Sequence, residues 1–130
     1  MTVTVEDVLK CLNMEGHEFQ DGAIEMHIQS ATVYVRTIVG GNVPPDLFDE
    51  AVMRYAAYLA YLSYADHAIN NLPVQIDERT GEMRPAQTVI NRTIETLDHL
   101  REAANNAIAL AVRAGAGPKR VPLFKSKQVW

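Results

Sequence analysis

The residues best suited to chemistry in this sequence are four histidines and a single cysteine. They are His17, His27, His67, His99 and Cys11. No histidine follows a glutamate by three residues, which excludes the Glu-x-x-His ligand pairs of di-iron helical bundles. The sequence has neither a His-Glu-x-x-His motif nor a second cysteine, so it offers no zinc or disulfide motif. We therefore expect no metal, no cofactor and no catalytic residues, and we interpret the chain as a protein that is not an enzyme.

The charged residues are distributed unevenly along the 130 residues. The formal net charge is −4, yet residues 112–130 contain five basic side chains and no acidic one. The preceding residues hold all 16 acidic groups, so an acidic body carries a basic tail. Such a chain can bind a negative partner through its tail, or pair the tail of one copy with the body of another. No apolar run approaches the ~20 residues of a membrane span, and the beginning of the sequence lacks the pattern of a signal peptide. With one cysteine, we expect a reducing, intracellular setting without membrane contact.

Apolar spacing predicts four helices, and hence a mainly α fold, a small four-helix bundle. A short helix opens at Thr4, which can cap it together with Asp7. The second helix is expected over residues 18–39, with an apolar stripe from Ile24 to Ile38 and Gly40 as its C-cap. The third begins at Pro44-Pro45-Asp46. The fourth is expected over residues 86–114, before Gly115-Ala-Gly-Pro. Its predicted apolar face consists of Ile90, Ile94, Leu97, Ala104, Ile108 and Ala111.

Residues 72–85 lie between the third and fourth helices and are less helical in pattern. Val74 to Asp77 alternates in polarity, and Arg79-Thr80-Gly81 is typical of a turn. This segment is either a short β-hairpin or an irregular polar loop. The helical domain is therefore expected to span residues 1–114, with the hairpin or loop inside it.

The third helix has apolar residues on nearly every side, because no charge occurs between Arg54 and Asp66. Such a helix is either the centre of a domain or is shared with a second subunit, and tyrosine suits half-wet interfaces. The alanine-rich end of the fourth helix would also allow close helix approach. These observations predict a subunit interface formed by Tyr58, Tyr61, Tyr64, Ala104, Ala107 and Ala111.

Residues 115–130 form the predicted C-terminal arm, which is extended and basic. Prolines at positions 118 and 122 prevent a helix there. The candidate partner-binding residues are Lys119, Arg120, Val121, Leu123, Phe124, Lys125, Lys127 and Trp130. Apolar anchors within a basic, extended segment favour docking in a groove or at a sheet edge of another chain. The alternative is a tail that folds back on its own body.

The order of these features over residues 3–64 resembles the head–tail connector (adaptor, or head-completion) proteins of tailed bacteriophages. The resemblance consists of the short opening helix, the acidic bridge (Glu15, Glu18, Asp21), the helix closed by Gly40 and the following Pro45-Asp-Leu segment that leads to Tyr58. The resemblance covers about half of the chain, and the sequence departs from the pattern after Tyr64. It contains no catalytic or ligand motif.

The resemblance implies a structural virion protein at the head–tail interface, made in the host cytoplasm. Such proteins form a homo-oligomeric ring, commonly of twelve copies, beneath the portal protein. The ring extends the DNA channel without sequence-specific contact and presents a platform to a tail-completion or stopper protein. Two other classes stay open: a small nucleic-acid-binding or regulatory protein that uses the basic arm, and a helical bundle that binds a small ligand.

Overall fold

A computed structural model describes residues 2–70, 74–76, 83–85 and 87–116. The described part is mainly helical, as the apolar spacing predicts. The helices are α1 (Val5–Leu12), α2 (Ala23–Val39), α3 (Pro45–Asn70) and α4 (Gln87–Ala116), and a 3₁₀ turn (Gly16–Glu18) lies between α1 and α2.

The first helix is fixed at its N-terminus by a capping box. The backbone N–H of Asp7 donates to Thr4 Oγ1 over 3.3 Å, and the backbone N–H of Thr4 donates to Asp7 Oδ2 over 3.0 Å. Both bonds satisfy backbone donors that lack a partner inside the helix. Asn13 ends α1 in the left-handed conformation, with φ 56°. The predicted cap at Thr4 is confirmed.

The second helix begins later than expected. Residues 18–22 are not part of it, because Phe19 has an extended backbone and Gly22 has φ 79°, which a helix does not allow. α2 therefore starts at Ala23. Its other end agrees with the prediction, since Gly40 follows Val39 at φ 82°, a conformation open to glycine at little cost.

The third helix is the centre of the fold, because it packs against α1, α2 and α4. Alanines line several of its sides, and those that are buried are Ala51, Ala56, Ala57, Ala60 and Ala65. Small side chains let the neighbouring helices approach closely. The helix is therefore central within the chain, and its sharing with a second subunit stays a prediction.

The fourth helix packs mainly along α3 and extends through Gly115 to Ala116, two residues beyond its predicted end. A methyl group added at Gly115 would lie 2.7 Å from Val43 Cγ2, so α4 ends tightly against the connection between α2 and α3. The predicted apolar face is confirmed at Ala104, Ile108 and Ala111, which are buried, and is wrong at one position: Thr93 is buried, whereas Ile94 is 49% exposed.

Two short strands, β1 (Val74–Ile76) and β2 (Met83–Pro85), pair antiparallel between α3 and α4. Gln75 lies opposite Arg84 in their register. Residues 77–82, which include the predicted turn, lie outside the described residues. The complete hairpin therefore stays a prediction.

Candidate functional site

Tyrosines from α2 and α3 form a stack at the seam between these helices. The rings of Tyr34 and Tyr55 are nearly parallel, with centroids 4.4 Å apart, and Tyr58 is tilted at 6.0 Å from Tyr55. Burial, with a smaller contribution from the two neighbouring phenols, raises the pKa of Tyr55 above its ordinary value. Its hydroxyl therefore stays protonated at neutral pH. The stack supplies partly covered aromatic surface rather than an acid or base.

A second aromatic group lies further along α3. Tyr64 contacts Tyr61 at a centroid distance of 5.6 Å and Phe19 at 5.9 Å. The two tyrosines, like Tyr58, are half-buried in the single chain. Each therefore keeps some surface that a second molecule can contact. Their assignment to a subunit interface stays a prediction.

The alanines expected at the same interface are placed differently. Ala104 and Ala111 are 1% and 0% exposed, and Ala111 belongs to the core of the chain itself. Ala107 is partly buried and packs against that core. These small side chains bring α4 close to its own neighbours, and Ala104 and Ala111 offer no open surface in the single chain. The assignment of the three alanines to a subunit interface stays a prediction.

The outer side of α2 is an apolar surface that sequence reasoning missed. Met26 is 66% exposed and Val33 is 67% exposed, while Tyr34 and Ile38 are 45% and 44% exposed. We call these four residues the α2 patch. The expected stripe placed Ile38 on the buried side, so that part of the prediction is wrong. The sequence contained a signal for these exposed apolar residues, since no Asp, Glu, Lys or Arg occurs between Glu25 and Arg36.

A cleft of about 460 Å³ lies beside the second aromatic group. Its lining includes Glu18, Phe19, His27, Tyr64 and Asp66. Burial lowers the pKa of His27 below its ordinary value, so the neutral imidazole is favoured there. The cleft contains the imidazoles of His27 and His67, two carboxylates and the hydroxyl of Ser63.

The single cysteine contacts an arginine across the α1–α3 packing. Arg54 Nη1 donates to Cys11 Sγ over 3.5 Å, and Arg54 Nε donates to Glu50 Oε2 over 2.7 Å. The hydrogen bond that Arg54 donates to Glu50 raises the pKa of Arg54 above its ordinary value. Cys11 is half-buried, and its contact with Arg54 holds two helices together.

Within the described ranges, no three His, Cys, Asp or Glu side chains are grouped closely enough to hold a metal ion. No helix in those ranges is long and apolar enough to cross a membrane. Lys119, Arg120, Val121, Leu123, Phe124, Lys125, Lys127 and Trp130 of the arm lie outside the described residues.

Comparison with known proteins finds no counterpart. No family model matches the chain. No curated protein and no solved structure matches it significantly either. The function is therefore argued from the chain itself.

Proposed function

We propose that this protein is a structural, self-assembling adaptor of the head–tail connector type, and not an enzyme. Copies associate into a ring, commonly of twelve, beneath the portal protein of a tailed bacteriophage. The ring extends the DNA channel and joins the head to the tail through a tail-completion or stopper protein. The protein acts in the virion after assembly in the host cytoplasm, without a cofactor.

The observation that carries this proposal is the α2 patch. Four large apolar side chains on one helix are between 44% and 67% exposed. Large apolar side chains left exposed in this way mark a candidate protein interface, because their removal from water contributes about 25 cal/mol per Å². The neighbouring Tyr34–Tyr55 stack extends the surface with aromatic side chains, which are enriched in interfaces.

The resemblance supports the adaptor class and involves the same part of the chain. Residues 3–64 include α1, α2 and most of α3, so the segment that resembles connectors also contains the α2 patch. A ring requires heterologous contacts, in which one surface meets a different surface of the next copy. The acidic body suits a channel wall, since a basic wall would bind the DNA that passes through it.

Self-association is tested by the mass of the full chain in solution, measured by light scattering after size exclusion. We expect a mass well above the 14.5 kDa of one chain, and closed rings in electron micrographs. Val33→Glu places a charge in the α2 patch and should yield the single chain. Asn105→Glu, on the exposed side of α4, is the matched control and should assemble normally.

The proposal fails if the unmodified chain has the mass of one copy at every concentration tested. It also fails if Val33→Glu assembles as well as Asn105→Glu. Because Val33 is 67% exposed, its replacement should leave the helical circular-dichroism signal unchanged. That signal separates lost assembly from lost folding.

A further inference from the structure

The cleft of about 460 Å³ beside the second aromatic group is formed by three parts of the fold. Glu18 and Phe19 belong to the connection between α1 and α2. Ala23 is the first residue of α2, and Tyr64 and Asp66 belong to α3. The cleft has the volume of a typical ligand site, and a group bound in it would contact all three parts.

One wall of this cleft is aromatic. The rings of Phe19 and Tyr64 are tilted by 51° to each other with centroids 5.9 Å apart, and both side chains are half-buried. The face of an aromatic ring attracts cations, and a guanidinium can also stack on it. The chain contains one such contact elsewhere, since the Arg36 guanidinium lies over the Phe48 ring, 4.6 Å from its centroid. The aromatic wall therefore suits a planar cation.

The carboxylates of the cleft are open to solvent. Glu18 and Asp66 are both exposed, so an incoming group can reach them. No Lys or Arg is present among the described residues that line the cleft. Burial lowers the pKa of His27, so this imidazole adds no positive charge at neutral pH. The lining is therefore complementary to a positive group.

The N-terminus of α2 also reaches the cleft at Ala23, and a helix N-terminus favours an anion. The backbone N–H of Ala23, however, already donates to the Gln20 carbonyl over 3.0 Å. Glu25 lies in the first turn of α2 and offsets the positive end of the helix dipole. Together with the two carboxylates of the lining, this favours a cation over an anion.

The open form of the cleft favours a side chain over a free small molecule. Five of its lining residues are exposed: Glu18, Gln20, Ser63, Asp66 and His67. Sites for free small ligands usually enclose most of the ligand surface. A side chain that projects from a larger molecule needs less enclosure, because the rest of that molecule makes further contacts.

We propose that this cleft binds the arginine side chain of a basic segment in a partner protein. The guanidinium pairs with the exposed carboxylates and lies against the Phe19–Tyr64 wall. A guanidinium presents a planar fork of N–H donors that matches a carboxylate, whereas an ammonium is a point charge that does not stack. The proposal does not depend on the adaptor function or on the α2 patch.

Binding is tested by titration of the full chain with a capped Gly-Gly-Arg-Gly-Gly peptide at pH 8 and constant ionic strength. The readout is the NMR signal of the Ala23 methyl group, which lines the cleft. We expect a saturable shift with the arginine peptide. The same peptide with citrulline, which has nearly the shape of arginine without its charge, should bind at least about tenfold more weakly, because charge-assisted hydrogen bonds are lost.

Substitutions in the cleft identify the groups that bind the guanidinium. Asp66→Asn should weaken binding of the arginine peptide about tenfold. Tyr64→Leu should weaken it severalfold, whereas Tyr64→Phe keeps the ring and should retain binding. Asp46→Asn, an exposed carboxylate in the first turn of the same helix and outside the cleft, is the matched control and should bind normally. Circular dichroism of each variant separates lost binding from lost folding.

Four results would overturn the proposal. They are an Ala23 signal that does not shift, equal binding of the citrulline peptide, undiminished binding by Asp66→Asn, and equal losses in Asp66→Asn and Asp46→Asn. A lysine peptide that binds as tightly as the arginine peptide would overturn the choice of a guanidinium. Free arginine carries its own carboxylate and should bind more weakly than the capped peptide, so tighter binding of the free amino acid would overturn the choice of a protein partner.

Discussion

At the scale of single residues, the core of this protein depends on small side chains. The largest fully buried side chains are those of Val8, Val35 and Val52, and the rest of the core is mostly alanine. Alanine buries little apolar area, so its contribution comes from letting helices approach closely enough for their backbones and larger side chains to make contact. Added volume at such positions should therefore be more harmful than a change on the surface.

The replacement Ala57→Leu tests this dependence on small residues. Ala57 is 0% exposed on the central helix, so the larger side chain must displace a neighbouring helix. We expect the free energy of unfolding to fall by about 1–3 kcal/mol, measured by urea denaturation. The control is Ala109→Leu on the exposed side of α4, which should change stability by less than about 0.5 kcal/mol. Equal losses in the two variants would contradict the argument.

The capping box of α1 makes a second prediction at this scale. Thr4→Ala removes the hydroxyl that accepts from the Asp7 backbone N–H, and should lower stability by about 1 kcal/mol. Thr37→Ala is the control: its hydroxyl only donates to the Val33 carbonyl within α2, so the effect should be close to zero.

The same capping box should respond to pH in a definite direction. Hydrogen bonds from the backbone and side chain of Thr4 lower the pKa of Asp7 below its ordinary value in the folded state. The stabilisation by Asp7 is therefore present above about pH 4 and is lost as the pH falls through the folded value. The difference in stability between Asp7→Asn and the unmodified chain should shrink in acid. A constant difference down to pH 2 would show that the carboxylate does not take part.

At the scale of helices, two capped ends were predictable from the sequence, whereas one position on the buried face of α4 was not. Thr4 and Gly40 mark helix ends through their own backbone chemistry, and both positions agree with the structure. On α4, Thr93 and Ile94 both continue a spacing of three and four residues from Ile90. The helix turns Thr93 inward, where its hydroxyl donates to the Val89 carbonyl over 2.8 Å, so its burial costs little. Which of Thr93 and Ile94 is buried depends on the surface of α3, and local spacing gives no information about that surface.

A pair of substitutions on α4 separates the two assignments of its buried face. Thr93→Asp buries a charge beside α3 and should lower the free energy of unfolding by about 3 kcal/mol. Ile94→Asp changes a side chain that is 49% exposed, and should cost less than about 1 kcal/mol. Urea denaturation of both variants measures the difference. The reverse order would restore the face predicted from spacing.

At the scale of the whole molecule, the candidate surfaces were only partly predictable from the sequence. The tyrosines of α3 could be recognised as interface candidates from their type and from the absence of charge around them. Ala104 and Ala111 could not be distinguished from interface alanines, because a small residue allows close approach equally within a chain and between chains. The α2 patch was missed because an apolar helix side is assigned to the core until the position of its neighbour is known. Whether one side of a helix is buried depends on how the helices pack together.

The arm provides the test of the adaptor proposal at this scale. Deletion of residues 118–130 should leave the four helices folded, because the described core lies entirely before residue 117. It should also prevent incorporation into virus particles, because the apolar anchors and four of the basic groups are lost together. Incorporation is measured by mass spectrometry of particles, and folding by circular dichroism.

A shorter deletion, of residues 125–130, divides the arm by function. It keeps residues 118–124 and removes Lys125, Lys127 and Trp130. If the far end binds the portal or a tail-completion protein, this deletion should reduce incorporation as much as the longer one, and affinity capture should no longer recover those partners. Normal incorporation of the longer deletion would refute a partner-binding role for the arm. Recovery of nucleic acid in place of virion proteins would instead favour a nucleic-acid-binding protein that uses its basic arm.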